Sequence, residues 1–299
     1  MLFPAESPAT KRQMFRQALK SGRLLQFPGS WSPIVSMAIE RQGFDGVYIS
    51  GSVLSNDLGY PDIGLTTLTE VAQRGRQIAR TTKLPAIIDA DTGFGEPMNV
   101  TRTVQELIEM GLSGCHLEDQ ENPKRCGHLD GKAVVPVEQM VRKIAAACRG
   151  KALDSNFLII ARTDARAMEG LDKTIERAKA YIDAGAEMIF TEALQDEKEF
   201  EKFRAAVSVP LLANMTEFGK SKLLSTETLQ DLGYNMVIYP VTTFRLAMKA
   251  TEEGLKAIKA QGTQEGILDR MQHRKELYEL TRYEEYNSFD QNIFNFKLK

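Results

Sequence analysis

The sequence predicts an α/β protein built as a (β/α)8 barrel of the TIM type. Three observations carry that prediction. Eight short, β-rich apolar runs are spread along the 299 residues, near positions 24, 47, 86, 115, 158, 188, 210 and 236. Between them lie amphipathic stretches long enough for a helix, the rhythm of βα units around a parallel sheet. Polar groups that could do chemistry follow the apolar runs, where a parallel barrel gathers its loops into one face.

Taken in order, "LLQFPG" and "GVYISGS" supply the first two strands. "LPAIIDAD" is a buried strand ending in acids. After it Val100, Val104, Leu107 and Ile108 share one helical face, and Gly111 stops the helix. "GCHLEDQ" and "FLIIARTDA" are the fourth and fifth strands. Ile175, Ala178 and Ile182 form the next helix stripe, with Asp172 expected as N-cap and Gly185 as the stop. "EMIFTEA", "VPLLANMTE" and "NMVIYPVTT" complete the eight. Two helical stretches follow, "FRLAMKATEEGLKAIKAQG" and "GILDRMQHRKELYELTRYEEY". The second is more than a barrel needs, and it either covers its own barrel or reaches a second subunit. The chain is thus expected to be one barrel domain over 1–299, with 263–299 as a helical extension. An open doubly wound sheet is the alternative, but no strand is followed by the GxGxxG turn of such folds.

Composition narrows the function classes. With 42% hydrophobic and 26% charged residues the chain is ordinary globular material. Its formal net charge of −2 offers no basic field for nucleic acid or an anionic membrane. No apolar run approaches the roughly 20 residues that span a bilayer. The amino-terminal "MLFPAESPATKRQMFRQALKSG" has no continuous apolar core of the secretory kind. The three cysteines, Cys115, Cys126 and Cys148, are too few for a disulfide framework. A cytoplasmic protein with no nucleic-acid or membrane partner is expected.

Ser50, Asp89, Asp91, Glu118, Arg162, Asp164, Glu192 and Asn214 all stand at carboxyl ends of predicted strands. Each alone could be a loop cap; eight on one rim crowd like charges that ask for a ligand. Asp89 and Asp91, two apart on an extended chain, point the same way. A hard divalent cation between them is the natural compensation, with Glu118 and Glu192 from neighbouring strands close by. Arg162, directly after four apolar residues, has to pair: with Asp164 or Glu192 as a structural bridge, or with a substrate carboxylate as a bidentate clamp. Arg245 and Arg274 read first as solvated helix residues. Cys126 differs from Cys115 and Cys148, which read as packing residues. It sits in the polar, aperiodic loop "EDQENPKRCGHLDG", after Lys124 and Arg125 and before Gly127. Positive neighbours favour thiolate, and a glycine lets the backbone approach a ligand.

Together "KRCGH" from Lys124, "DADTGFG" from Asp89, "EDQ" from Glu118, "ARTDA" from Ala161 and "NMTEFG" from Asn214 resemble the isocitrate lyase and phosphoenolpyruvate mutase superfamily. The likeness runs from about Phe15 to Tyr286. The mutase branch lacks the loop cysteine, and isocitrate-cleaving members are longer and read KKCGH. The resemblance implies an α/β barrel whose eighth helix is swapped between subunits, in a homotetramer made of two swapped dimers. It implies Mg²⁺, with Mn²⁺ as an alternative occupant, and a small tricarboxylate substrate. The implied reaction is retro-Claisen cleavage of 2-methylisocitrate into pyruvate and succinate, in the methylcitrate cycle of propionate breakdown. Asp89, Asp91, Glu118 and Asp62 would serve the metal. Cys126 would be the general acid, Arg162 the carboxylate clamp and Tyr48 a base or relay. Ser50, Gly51, Ser52, Cys126, Gly127, Arg162, Glu192, Asn214, Thr216, Arg245 and Arg274 would line the substrate. One departure is Ser52, where the family commonly has a second glycine. Another is Phe190 in place of tryptophan, which would leave room for a methyl group. The other readings are an isocitrate-cleaving or oxaloacetate-decarboxylating sibling, and a non-catalytic barrel that binds a dicarboxylate.

Overall fold

A computed structural model describes residues 6–127 and 131–295. His128, which completes the "KRCGH" motif, lies outside the described residues. The eight predicted strands are all present: β1 Leu25–Pro28, β2 Val47–Ile49, β3 Ala86–Asp89, β4 Gly114–Glu118, β5 Leu158–Thr163, β6 Met188–Thr191, β7 Leu211–Asn214 and β8 Met236–Tyr239. Every pairing is parallel, in the order β1-β8-β7-β6-β5-β4-β3-β2. A single parallel bridge from Gly29 to Tyr48 links β1 to β2 and brings the sheet round on itself. The resulting barrel is nearly closed.

Strand residues alternate between two apolar layers, as the two-residue period requires. Phe27, Ile87, Ile160, Phe190, Leu212 and Ile238 fill the barrel interior. Ile49, Ile88, Cys115, Ile159, Ile189 and Val237 face outward and pack under the helices. With both faces covered, the strands read in sequence as nearly unbroken apolar runs.

Thirteen α-helices are described, beginning with α1, Pro8–Leu19. Phe15 and Leu19 of α1 join the interior cluster, and Arg12 and Arg16 tie the helix to carbonyls of Ile108, Leu112 and Phe157. That places α1 at the amino-terminal end of the strands, opposite the loops. The connecting helices are α2 Pro33–Arg41, α3 Gly51–Asp57, α4 Leu68–Ala79, α5 Pro97–Glu109, α6 Val137–Gly150, α7 Arg166–Glu169, α8 Leu171–Asp183, α9 Glu197–Ala206 and α10 Thr226–Asp231. α4 begins with a reciprocal cap between Thr67 and Glu70. α5 has Pro97 in its first turn and buries Val100, Val104, Leu107 and Ile108. Burying each such side chain stabilises by about 1.5–3 kcal/mol. Gly111, at φ 87°, then turns the chain away.

Two expectations need correction. Asp172 does not cap α8; Gly170 does, and Asp172 lies in the first turn, paired in solvent with Lys202 at 2.5 Å. Gly170 takes φ 82°, a positive-φ entry that lets α8 start two residues earlier. The second tail stretch is not one helix. α11, Thr242–Gln261, ends at left-handed Gly262, and a 3-10 turn, Glu265–Arg270, follows. Then come α12, Arg274–Leu280, and α13, Tyr283–Phe294, separated by Arg282 at φ 57°.

Candidate active site

The register of the barrel assembles the site. Asp89 pairs across to His116, Glu118 to Arg162, and Arg162 to Phe190. Side chains facing the same way at the carboxyl ends of β3, β4, β5 and β6 therefore meet at one mouth. Tyr48, Ser50, Ser52, Asp62, Asp89, Glu118, Cys126, Gly127, Arg162, Glu192, Asn214, Thr216 and Arg245 line one pocket there, with Lys124, Arg125, Pro240 and Val241. Gly51 and Asp91 stand directly beside it. The Gly51 N–H donates to Asp89 Oδ2 at 3.3 Å. A Cβ on Gly51 would sit 2.9 Å from that oxygen and 3.2 Å from Asp91 Oδ1. Arg274 is not brought in: it opens α12 on the exposed surface of this chain.

The two aspartates converge by a different route from the one the spacing suggests. β3 ends at Asp89, so the pair is not an extended dipeptide. Asp91 takes φ 47°, and its N–H donates to Asp89 Oδ1 at 3.0 Å. That turn aims both carboxylates at the space beside Gly51.

Charge in the mouth is dense and buried. The Arg162 guanidinium lies 2.9 Å from Asp164, 3.1 Å from Glu192 and 3.4 Å from Glu118, over the Phe190 ring at 4.9 Å. Burial opposes its charge, but these three carboxylates outweigh burial and keep it firmly protonated. Arg162 is therefore bridged to acids, as the structural alternative has it, and it also lines the pocket. Phe190 is fully buried beneath it, so the ring supports the guanidinium rather than lining the pocket. Burial pushes Glu118 well up, partly offset by Arg162. Asp91 is pushed up to about 6 by burial and by Asp89.

Lys124 answers much of this negative charge. Its buried ammonium contacts Asp62, and Asp91 Oδ1 at 2.7 Å. Burial opposes its charge, yet Asp91, Glu118, Asp89 and Asp62 together hold it protonated. His116 Nδ1 lies 3.6 Å from Asp89, but burial pushes the imidazole down to about 4. That contact is thus no ion pair at neutral pH. Burial would raise Asp89; His116, which charges only as the pH falls to about 4, and then Lys124 and Arg162 outweigh it and hold Asp89 ionised at neutral pH. His116 Nε2 lies 2.8 Å from the Tyr48 hydroxyl. Burial and Asp89 push Tyr48 well above its ordinary value, so the phenol stays neutral and suits a relay better than a base.

The residues fit a hard cation. Asp91 Oδ1 and Glu118 Oε1 are buried without an aligned hydrogen bond, the Lys124 contact to Asp91 being one of charge. The donors are carboxylate oxygens, and Gly51 keeps the gap between Asp89 and Asp91 open. Among the described residues no three acids, histidines or cysteines close into a cage. Mg²⁺ asks for no cage: it takes one or two carboxylates and keeps several waters.

Cys126 is half-buried on the loop after β4, and all three cysteines are thiols. Gly127 follows with its main chain pressed on the ion pair. A Cβ there would fall 2.4 Å from Arg162 Nη2 and 2.5 Å from Glu192 Cγ. Asn214 donates to both Glu192 oxygens, at 3.2 and 3.3 Å, leaving its own Oδ1 buried and unpartnered. Asp119 sits behind this layer. It accepts from Thr163 Oγ1, Tyr181 and the Asp164 N–H at 2.8, 2.8 and 2.9 Å, fixing the turn after β5. Sequence reasoning missed His116, Asp119 and Lys132, and saw in Lys124 only a neighbour of the thiol. His116 was legible in principle, as a polar residue inside an apolar strand.

A family profile described as phosphoenolpyruvate phosphomutase matches residues 15–259. The chain is 61% identical over 288 residues to a "Probable 2-methylisocitrate lyase 1" of Corynebacterium glutamicum, covering 96% of this chain and 94% of the relative. Among solved structures it resembles oxaloacetate acetylhydrolase in complex with 3,3-difluorooxalacetate, with TM-score 0.90, 32% identity and coverage of 98% and 99%. It also resembles phosphonopyruvate hydrolase in complex with oxalate and Mg²⁺, with TM-score 0.86, 29% identity and coverage of 95% and 99%.

Proposed function

The chain belongs to the phosphoenolpyruvate mutase and isocitrate lyase superfamily, and on that premise we propose that it is a 2-methylisocitrate lyase, a carbon–carbon lyase forming pyruvate and succinate. The observation that carries the reading is one mouth holding acids for a hard cation, the Arg162 guanidinium and the Cys126 thiol together. The high identity to a curated relative of that name supports the substrate over oxaloacetate, whose acetylhydrolase shares the fold at half the identity.

Asp89 and Asp91 would hold Mg²⁺, with Asp62 and Glu118 reaching its water shell. Bound there, the ion supplies Lewis-acid polarisation of the substrate's hydroxyl and carboxylate oxygens. Arg162 clamps a substrate carboxylate and, held charged by three acids, keeps that role across the neutral range. Ser50, Gly51, Ser52, Gly127, Glu192, Asn214, Thr216 and Arg245 position the remaining oxygens. Cleavage passes the hydroxyl proton to water, forms the keto group of pyruvate and leaves the bonding electrons on C3 beside a carboxylate. Cys126 gives its S–H proton to C3, forming the C–H bond of succinate and leaving a thiolate. Tyr48, a neutral hydroxyl tied to His116, passes hydrogen bonds at the floor of the mouth.

The reading extends to a barrel domain whose extension, 263–299, contributes to a homotetramer of swapped dimers. Arg274 would then reach a mouth from a neighbouring copy. Its support is α11, which buries none of its residues in this chain. A cytoplasmic place in propionate breakdown completes the reading. No described helix is long and apolar enough to cross a membrane.

The test is a substrate panel of 2-methylisocitrate, isocitrate and oxaloacetate, scored for pyruvate, glyoxylate and oxalate. Pyruvate from 2-methylisocitrate is expected to dominate. Cys126→Ala is expected to lose about 10²–10⁴-fold in that turnover. Oxalate as the main product, or full turnover by Cys126→Ala, contradicts the reading.

A further inference from the structure

Lys132 carries a buried ammonium that no step above uses. Its side chain is 2% exposed, and Asp164, which it meets at 2.9 Å, is fully buried. The same ammonium donates to the carbonyl of Gly127, the residue after Cys126. Asp164 in turn accepts from Arg162 Nε at 2.9 Å and Nη2 at 3.2 Å. Its backbone is fixed from behind by Asp119. Gly127 closes the circuit, because its main chain lies directly on Arg162 Nη2 and Glu192. A buried lysine is costly unless both its charge and its N–H groups are met. Here they are met by one acid of the Arg162 network and one carbonyl of the thiol segment.

We propose that Lys132 is a positioning residue that latches the Cys126–Gly127 backbone onto the Arg162–Asp164 pair and so sets where the thiol stands. The proposal rests on the reading of Cys126 as proton donor. Without the ammonium, the Gly127 carbonyl loses its buried partner and Asp164 loses one of its two cationic neighbours. The segment stays pinned at Arg125 by the Gln120 side chain, but Cys126 and Gly127 can then lift from the guanidinium, while the binding groups on β3, β6 and β7 stay in place. A loss in kcat larger than any change in KM follows.

The test compares Lys132→Met and Lys132→Gln with the parent, by kinetics and by hydrogen exchange of the backbone amides over 121–127. Lys132→Met should lower kcat by about 30-fold or more, with KM changed less than about 3-fold. Exchange over 121–127 should quicken by about tenfold or more, while strand amides keep their protection. Lys132→Gln, which retains an N–H donor for Gly127, should fall between; should Lys132→Met not fold, the same exchange is read on Lys132→Gln. Exchange within twofold of the parent in the folded variants overturns the latch. The two readings fail separately. An active Cys126→Ala beside quickened exchange in Lys132→Met sinks the acid role. An inactive Cys126→Ala beside unchanged exchange sinks the latch.

Discussion

Gly127 shows how little space one residue has at this mouth. Its main chain touches both members of a buried ion pair, and a methyl group there would overlap Arg162 and Glu192. Gly127→Ala should fold, since the overlap is with side-chain ends rather than strand backbone. It should lose about 10–100-fold in kcat/KM by displacing the guanidinium, read by steady-state kinetics beside an unchanged far-UV spectrum. His116 makes a different prediction. Its imidazole is held down to about 4 against an ordinary 6.5, by burial. Between those values the unfolded chain takes a proton that the folded ring refuses. The stability is therefore present in full above pH 6.5 and lost as pH falls toward 4, by about 3 kcal/mol from this group. Denaturant midpoints of the parent and His116→Gln, compared at pH 7 and pH 4.5, should show that extra loss only in the parent. At this scale sequence reading went furthest with acids and arginines, because strand ends announce themselves. It saw the convergence of Asp89 and Asp91 but not the left-handed Asp91 that causes it. It missed His116 and Lys132, whose meaning comes from partners distant along the chain or across an aperiodic loop.

Among the elements, α11 stands apart. Apart from the four-residue α7, the α-helices that precede it bury residues against the barrel, whereas α11 exposes Leu246, Leu255 and Ile258. Leucines left in water along a helix of 20 residues suit a surface that another chain covers. Leu246→Glu combined with Leu255→Glu should leave monomer stability within about 0.5 kcal/mol, because neither side chain is buried in the single chain. In sedimentation the same variant should shift the parent's assembly toward monomer. An unchanged sedimentation coefficient contradicts the helix swap. All eight strands were legible from apolar runs bounded by turn residues. The start of α8 and the breaks in the tail were not. They depend on the positive-φ backbones of Gly170 and Arg282, and a non-glycine such as Arg282 gives no local signal.

For the whole molecule, the barrel explains why polar residues scattered from Tyr48 to Arg245 line one mouth. A parallel sheet sends every strand's carboxyl end to one rim, and the register then sets which side chains are neighbours. Lys124, Lys132 and Arg162 answer much of the carboxylate charge at the rim, while Asp91 Oδ1 and Glu118 Oε1 stay buried without an aligned hydrogen bond, a pair of oxygens that suits an added cation. The most direct measurement is pyruvate release from 2-methylisocitrate by chelator-stripped protein, followed as Mg²⁺ is returned. Stripped protein should release no pyruvate, and turnover should rise with Mg²⁺ to saturation, with Asp89→Asn requiring far more of the ion. Undiminished pyruvate release from stripped protein, or none at saturating Mg²⁺, would contradict the account.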